Sequence, residues 1–107
     1  MKATGPIPAG FETLNGELAI GGKPVGELVK QAGRTPLFVY SGDMITQRIA
    51  DLRAAMPDRL LINYAVKANP FGPVLQHMAG LVDGFDIASA GELEIVIQAG
   101  IDPHRVS

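Results

Sequence analysis

The chain has 107 residues, of which 47% are hydrophobic and 19% are charged, a composition typical of a folded globular protein rather than a disordered chain or a coiled coil. Nine basic and eleven acidic side chains give a formal charge of −2, which argues against a surface for nucleic acids or anionic membranes. Cysteine is absent and histidine occurs only twice, so disulfides, thiolate zinc sites, cysteine nucleophiles and a histidine-only metal site are excluded within these residues.

The N-terminal residues and the longest apolar run are not those expected of a secreted or membrane-spanning protein. Residues 1–8 lack the apolar core of a secretion signal, and the longest nearly apolar run, residues 60–66, is far short of the roughly 20 residues that span a bilayer. We therefore predict a cytoplasmic protein. Residues 102–107 have the pattern of a strand that is just beginning, so we expect the chain to be a fragment.

The first predicted element is a β-hairpin. Residues 11–14 and 17–20 flank Asn15 and Gly16, and both of these turn residues tolerate positive φ. A helix is predicted next, with Pro24 in its first turn and Gly33 at its end. Its apolar residues keep the spacing of one helix face, namely Val25, Leu28, Val29 and Ala32.

Two strands and a helix are predicted in the middle of the chain. Residues 35–40 and residues 60–67 are the strands, and the helix between them has Ser41 or Asp43 as its N-cap and ends before Pro57. The apolar stripe of this helix comprises Ile45, Ile49, Leu52 and Met56.

A helix, a strand and a last helix complete the predicted series. Asn69 is expected to cap the first of these helices, with Pro70 at its first position. Its apolar stripe is Phe71, Val74, Leu75, Met78 and Ala79. Residues 85–89 are the strand, and Ser89 and Glu92 have the spacing of a capping box at the start of the last helix. The stripe of that helix is Leu93, Val96 and Ile97.

The order from residue 60 onward is therefore strand, helix, strand, helix with short connections. This order predicts parallel strands joined by right-handed crossovers, as in a (β/α) barrel or a doubly wound sheet. A barrel takes roughly 250 residues, so these residues would hold only its beginning. We expect residues 1–107 in isolation to be neither stably folded nor active, because two βα units leave sheet edges unpaired.

Alternation along the strands predicts which side chains share a face. In residues 60–67 the even-numbered positions are apolar, whereas Asn63, Ala65 and Lys67 lie on the other face, and Asp86 lies on the corresponding face of the next strand. A lysine at the carboxyl end of a barrel strand stands where such enzymes carry catalytic groups, and a lysine amine condenses with an aldehyde to a Schiff base. A lysine that merely ends a strand and reaches solvent is the alternative. His77 and His104 are predicted to be surface residues.

Two motifs favour the Schiff-base lysine over the lysine that merely ends a strand. Residues 64–70 (YAVKANP), followed by residues 85–93 (FDIASAGEL), resemble the pyridoxal-phosphate decarboxylases of the alanine-racemase fold type, the diaminopimelate and ornithine decarboxylase group. Residues 76–84 and 101–107 are most similar to the decarboxylases associated with exosortase systems. The opening of the chain also fits, so the resemblance covers nearly all of it.

The resemblance implies an α/β fold in which a (β/α)8 TIM-type barrel is joined by a second, β-rich domain. Residues 1–40 would be the N-terminal β-rich segment of the second domain, and residues 41–107 the first βα units of the barrel that binds pyridoxal 5′-phosphate. Family members close the active site between two subunits, so a homodimer is implied. No nucleic acid, membrane or metal partner is expected.

The resemblance also implies an activity, the pyridoxal-phosphate-dependent decarboxylation of a diaminopimelate- or ornithine-like amino acid. Lys67 would form the Schiff base with the cofactor, Asp86 and Glu92 would lie near it, and Ala65 would shape the wall beside Lys67. Two structural alternatives stay open: Glu92 as a helix cap only, and Asp86 as the buried partner of a basic group.

Two other functions stay open as well. One is a non-catalytic relative that binds pyridoxal phosphate or a protein partner. The other is an alanine-racemase-like isomerase, which is disfavoured because racemases usually continue the lysine motif with Tyr-Gly-His-Gly, whereas Lys67 leads into residues 68–72 (ANPFG).

Overall fold

The computed structural model describes residues 9–107, so the prediction made from residues 1–8 lies outside the described residues. The chain divides into two compact units, of which the first ends at Met44 and the second spans Ile45–Ser107.

An antiparallel sheet forms much of the first unit. Its strands, in sheet order, are β1 (Glu12–Leu14), β2 (Glu17–Ile20) and β3 (Lys23–Pro24). The predicted hairpin is confirmed: Leu14 pairs with Glu17, and the two residues between them have φ values of 52° at Asn15 and 78° at Gly16. Positive φ at both positions gives the turn a twist that matches that of the flanking strands.

Helix α1 (Val25–Ala32) follows β3 and ends as predicted. Gly33 has a φ of 72°, a left-handed conformation that glycine adopts without steric cost, and its amide donates to the Val29 carbonyl at 2.9 Å. The start of α1 is bound to strand β2, because the Gly26 amide donates to a carboxylate oxygen of Glu17.

The predicted strand at residues 35–40 is wrong. This segment forms no strand and pairs with no strand among the described residues, and Phe38 is 89% exposed. β-branched and aromatic residues favour an extended chain, but a strand needs a second strand to take up its backbone hydrogen bonds.

Helix α2 (Gly42–Ala55) begins the remaining series of elements. Of the two candidate caps, the structure selects Ser41, whose hydroxyl oxygen accepts from the Met44 amide at 3.3 Å. The elements that follow are β4 (Asn63–Ala65), a 3-10 turn (Val66–Ala68), α3 (Gly72–Ala79), β5 (Gly84–Asp86), α4 (Ala90–Gln98) and a second 3-10 turn (Pro103–Arg105).

The strands of the second unit are parallel and adjacent in chain order. β4 pairs with β5, and Val106 forms a parallel bridge to Phe85 on the other side of β5. The Ser107 amide donates to the Phe85 carbonyl and the Ile87 amide to the Ser107 carbonyl, both at 2.9 Å. Sequential parallel neighbours are the arrangement of a (β/α) barrel, whereas a doubly wound sheet reverses its strand order at a switch point.

The core of the second unit lies between this sheet and its helices. Phe85, Leu75, Val66 and Val96 are its largest fully buried side chains. One residue of each predicted helix stripe in this unit is less buried than expected, since Leu52, Phe71 and Ile97 are 44%, 53% and 50% exposed.

The strands β4 and β5 are shorter than predicted, at three residues each. Lys67 therefore does not belong to a strand but to the 3-10 turn after β4. The alternation of side chains between the two faces of the sheet extends only to Ala65. Within residues 9–107, no helix has the length and apolar character that crossing a membrane requires.

Candidate active site

Lys67 lies in the turn that directly follows β4. The 3-10 turn Val66–Ala68 is closed by a hydrogen bond from the Asn69 amide to the Val66 carbonyl at 3.2 Å. Val66 has no exposed surface, whereas Lys67 is exposed. A buried residue thus anchors the turn, and the lysine beside it presents its amine at the carboxyl end of the strand.

Asn69, the residue that follows this turn, is held by further hydrogen bonds. Its side-chain oxygen accepts from the Phe71 amide at 3.1 Å, and its carbonyl accepts from the Tyr64 hydroxyl at 3.0 Å. The prediction that Asn69 caps α3 is wrong, because the helix begins at Gly72, with Phe71 as the N-cap residue and a proline in its first turn. Asn69 instead forms a local Asx turn, a conformation that competes with helix capping.

Asp86 is brought to the same end of the neighbouring strand. Asp86 pairs in register with Ala65, and paired residues of adjacent strands point to the same face of a sheet. Asp86 is exposed, and Ala65 is half-buried. Among residues 9–107, the side chains of Lys67 and Asp86 form no hydrogen bond or ion pair, so the amine and the carboxylate are both available to a ligand.

Glu92 holds the loop that leads from β5 into α4. The Ser89 hydroxyl accepts from the Glu92 amide at 3.1 Å, which confirms Ser89 as the helix cap. The Glu92 carboxylate accepts from the Ala88 amide at 3.0 Å, one residue earlier than a capping box requires. The described contacts of Glu92 therefore order the backbone two residues after Asp86.

Two arginines that were not identified from the sequence hold the segment that leads from α3 into β5. Arg53 donates to the Leu81 carbonyl at 2.8 Å and to the Asp83 carboxylate at 3.1 Å. Arg105 donates to the carbonyls of Ala79 and Val82 at 2.9 and 2.8 Å, and its guanidinium lies 5.5 Å from the centre of the Phe85 ring. Spacing carries no signal for such contacts, because most of the acceptors are backbone carbonyls more than 20 residues away.

Asp83 connects the start of β5 to the start of β4. Its carboxylate accepts from the Ile62 amide at 2.7 Å as well as from Arg53. The hydrogen bond from Ile62, then that from Arg53, lower the pKa of Asp83 below its ordinary value of 3.8.

The histidines are surface residues, as predicted. The Thr46 hydroxyl and His77 Nε2 are hydrogen-bonded at 2.8 Å, and His104 Nδ1 lies 3.0 Å from the Asp102 carboxylate. The backbone and side-chain hydrogen bonds from His104 lower the pKa of Asp102. No cluster of histidine and acidic side chains in the described part of the chain is arranged to hold a metal ion.

The chemistry of this arrangement follows from the two available groups. A primary amine can condense with the carbonyl carbon of an aldehyde, and a carboxylate on the adjacent strand attracts the positive charge that the product nitrogen carries when protonated.

Comparisons with known proteins show the family to which the chain belongs. Residues 42–107 match the family model described as "Pyridoxal-dependent decarboxylase, pyridoxal binding domain". A diaminopimelate decarboxylase of Aquifex aeolicus is 47% identical over 97 residues, which are 90% of this chain and 22% of that protein.

Two solved structures share the fold. The crystal structure of AQ1208 from Aquifex aeolicus is similar over 90% of this chain and 24% of that one, with a TM-score of 0.77 and 44% identity. The arginine decarboxylase of Paramecium bursaria Chlorella virus is similar over 77% of this chain and 23% of that one, with a TM-score of 0.62 and 30% identity. The chain thus spans less than a quarter of the length of these relatives, and the matches confirm the predicted fold class, the start of a (β/α)8 barrel.

Proposed function

Because the chain belongs to the pyridoxal-dependent decarboxylase family, we propose that it is part of an enzyme that removes the carboxylate of an amino acid with the help of pyridoxal 5′-phosphate. Membership in this family confirms the resemblance drawn from residues 64–70 and 85–93, and with it the predicted cofactor. The closer resemblance to exosortase-associated decarboxylases stays a prediction.

One observation carries the proposal. Lys67 lies in the turn after β4 and Asp86 is the last residue of the adjacent parallel strand β5, and both side chains are exposed and without a partner in residues 9–107. In barrel enzymes the carboxyl ends of the strands carry the catalytic groups. An amine available at that edge is the group that the aldehyde of pyridoxal phosphate requires, so the residues present fit the cofactor.

The residues have distinct roles in this proposal. Lys67 holds the cofactor through its Nζ atom, Asp86 attracts positive charge at that nitrogen, and Ala65 shapes the wall beside Lys67. Glu92 orders the loop after Asp86 through the Ala88 amide. When bound, the cofactor supplies an electron sink for the electron pair released as the carboxylate leaves as carbon dioxide.

The proposed substrate is a diaminopimelate- or ornithine-like amino acid. The relatives support this class, because one is named for diaminopimelate and another for lysine and ornithine. We also propose that the enzyme is a cytoplasmic homodimer with its active sites at the subunit interface. Residues 1–40 would then belong to a second, β-rich domain, and residues 41–107 to the barrel.

The test uses the intact protein loaded with pyridoxal phosphate. Borohydride reduction followed by peptide mapping should label Lys67, and the loaded protein should release carbon dioxide from one of the diamino acids. Label on Lys67 without carbon dioxide release would favour the non-catalytic relative. Loss of substrate chirality without carbon dioxide release would favour the isomerase, and label on Lys23 or Lys30 would remove Lys67 from the site.

A further inference from the structure

The turn that carries Lys67 is closed by two hydrogen bonds that converge on Asn69. The Asn69 amide donates to the Val66 carbonyl within the turn, and the Tyr64 hydroxyl reaches over it to donate to the Asn69 carbonyl. Asn69 also binds the Phe71 amide through its side chain. Three hydrogen bonds thus hold the residue two positions after Lys67.

We propose that Tyr64 is a positioning residue for Lys67, because its hydroxyl closes the backbone of residues 64–69 and so restricts the orientation of the lysine. This inference rests on the proposed function, in which Lys67 holds the cofactor. The hydroxyl acts on the backbone of the turn, because the acceptor of its hydrogen bond is the Asn69 carbonyl.

The Tyr64 ring is well placed to act as a rigid support for that hydrogen bond. Tyr64 pairs in register with Phe85 across β4 and β5, and the two rings meet edge to face, with centroids 6.2 Å apart and planes at 84°. Phe85 has no exposed surface, and the Arg105 guanidinium lies over its ring. The hydroxyl therefore projects from a ring that the core already holds.

This arrangement makes Tyr64→Phe an informative substitution. Phenylalanine keeps the ring and its packing against Phe85, whereas the change removes the hydroxyl that donates to the Asn69 carbonyl. Water can reach the half-buried Asn69 and satisfy its carbonyl, so we expect a looser turn and not an unfolded protein. Tyr40→Phe, which removes the other tyrosine hydroxyl of the chain, is the matched control.

The first measurement needs no cofactor. Amide hydrogen exchange in the intact, cofactor-free protein should be about two- to tenfold faster at Asn69 and Phe71 in Tyr64→Phe, the range expected for the loss of one hydrogen bond. The Val82 amide, which donates to Met78 elsewhere in the unit, should exchange at the wild-type rate, as should all three amides in Tyr40→Phe. Equal acceleration at all three amides would mean a purely structural role and would overturn the proposal.

The second measurement follows covalent attachment of the cofactor. In Tyr64→Phe, the rate constant for attachment of pyridoxal phosphate to Lys67, measured by absorbance and borohydride trapping, should fall about two- to tenfold. The kcat should fall by a similar factor with little change in KM, because the substrate contacts are unaltered. Wild-type rates in Tyr64→Phe, with Lys67 labelled in the wild type, would overturn the role of Tyr64 alone. Failure to label Lys67 in the wild type would overturn the proposed function instead.

Discussion

Asp83 and Ile62 exchange two hydrogen bonds at the start of the parallel strand pair. The Asp83 amide donates to the Ile62 carbonyl at 2.8 Å, and the Ile62 amide donates to the Asp83 carboxylate at 2.7 Å. The Asp83 carboxylate thus takes the place of the backbone carbonyl that would accept from the Ile62 amide if the strands were longer. Because β4 and β5 are only three residues long, this contact sets the register that brings Ala65 opposite Asp86.

The first prediction concerns the acid stability of the protein. The lowered pKa of Asp83 means that its carboxylate is more acidic in the folded than in the unfolded protein. Its contribution to stability should therefore be fully present above pH 3.8 and be lost as the pH falls through the lowered pKa. Asp83→Asn should lower the melting temperature at neutral pH and reduce the fall in melting temperature as the pH is lowered into the acid range. Thermal unfolding of the intact protein between pH 2 and pH 7 measures both effects, and parallel curves for the two proteins would contradict them.

The second prediction concerns Gly84, which a methyl group would crowd. A Cβ at this position would lie 2.7 Å from the Asn63 side-chain oxygen and 3.0 Å from the Arg105 carbonyl. We expect Gly84→Ala to destabilise the intact protein by about 1–3 kcal/mol, because the neighbouring backbone must shift. Gly72→Ala is the control, since a Cβ there meets nothing within 4 Å. Urea unfolding should separate the two variants, and equal midpoints would show that the strands absorb the added methyl group.

The third prediction tests the role of Lys67. Lys67→Ala and Lys67→Arg should both prevent covalent attachment of pyridoxal phosphate and lower turnover by at least about 100-fold, the scale on which a positioned catalytic group acts. Arginine keeps the positive charge but is not a nucleophilic amine, so it separates the two properties of lysine. Lys30→Arg is the control for the loss of an exposed lysine. Visible absorbance and borohydride labelling report attachment, and full labelling of either Lys67 variant would refute the assignment.

The fourth prediction tests Asp86. If its carboxylate lies beside the lysine nitrogen, Asp86→Asn should move the midpoint of the pH titration of the bound cofactor's absorbance down by about 1 pH unit or more. Replacement of Lys67 by an amino-acid substrate at the bound cofactor should be slower. The melting temperature should stay close to that of the wild type. Asp58→Asn, which removes a carboxylate before β4, should leave the titration unchanged. An unchanged midpoint in Asp86→Asn would remove Asp86 from the site.

The candidate site could be predicted from the sequence in part. Lys67 and Asp86 were predicted because the alternation of residues marks strands whose carboxyl ends meet, and because residues 64–70 and 85–93 resemble a known family. The alternation itself extends only to Ala65, since Lys67 lies in the turn after β4. The supporting contacts of Tyr64 and Asp83 could not be found in this way. The Tyr64 hydroxyl and the Asp83 carboxylate bind backbone atoms of Asn69 and Ile62, and backbone atoms are the same at every position.

What the sequence by itself determined is local structure. The hairpin turn at Asn15 and Gly16, the end of α1 at Gly33 and the cap at Ser89 all depend on backbone preferences and hydrogen bonds that act within a few residues. Tertiary structure alone decided how far each strand extends, and so whether Lys67 lies in a strand or in a turn. A strand persists only where another segment accepts and donates its hydrogen bonds, and β4 meets β5 only from Asn63 to Ala65.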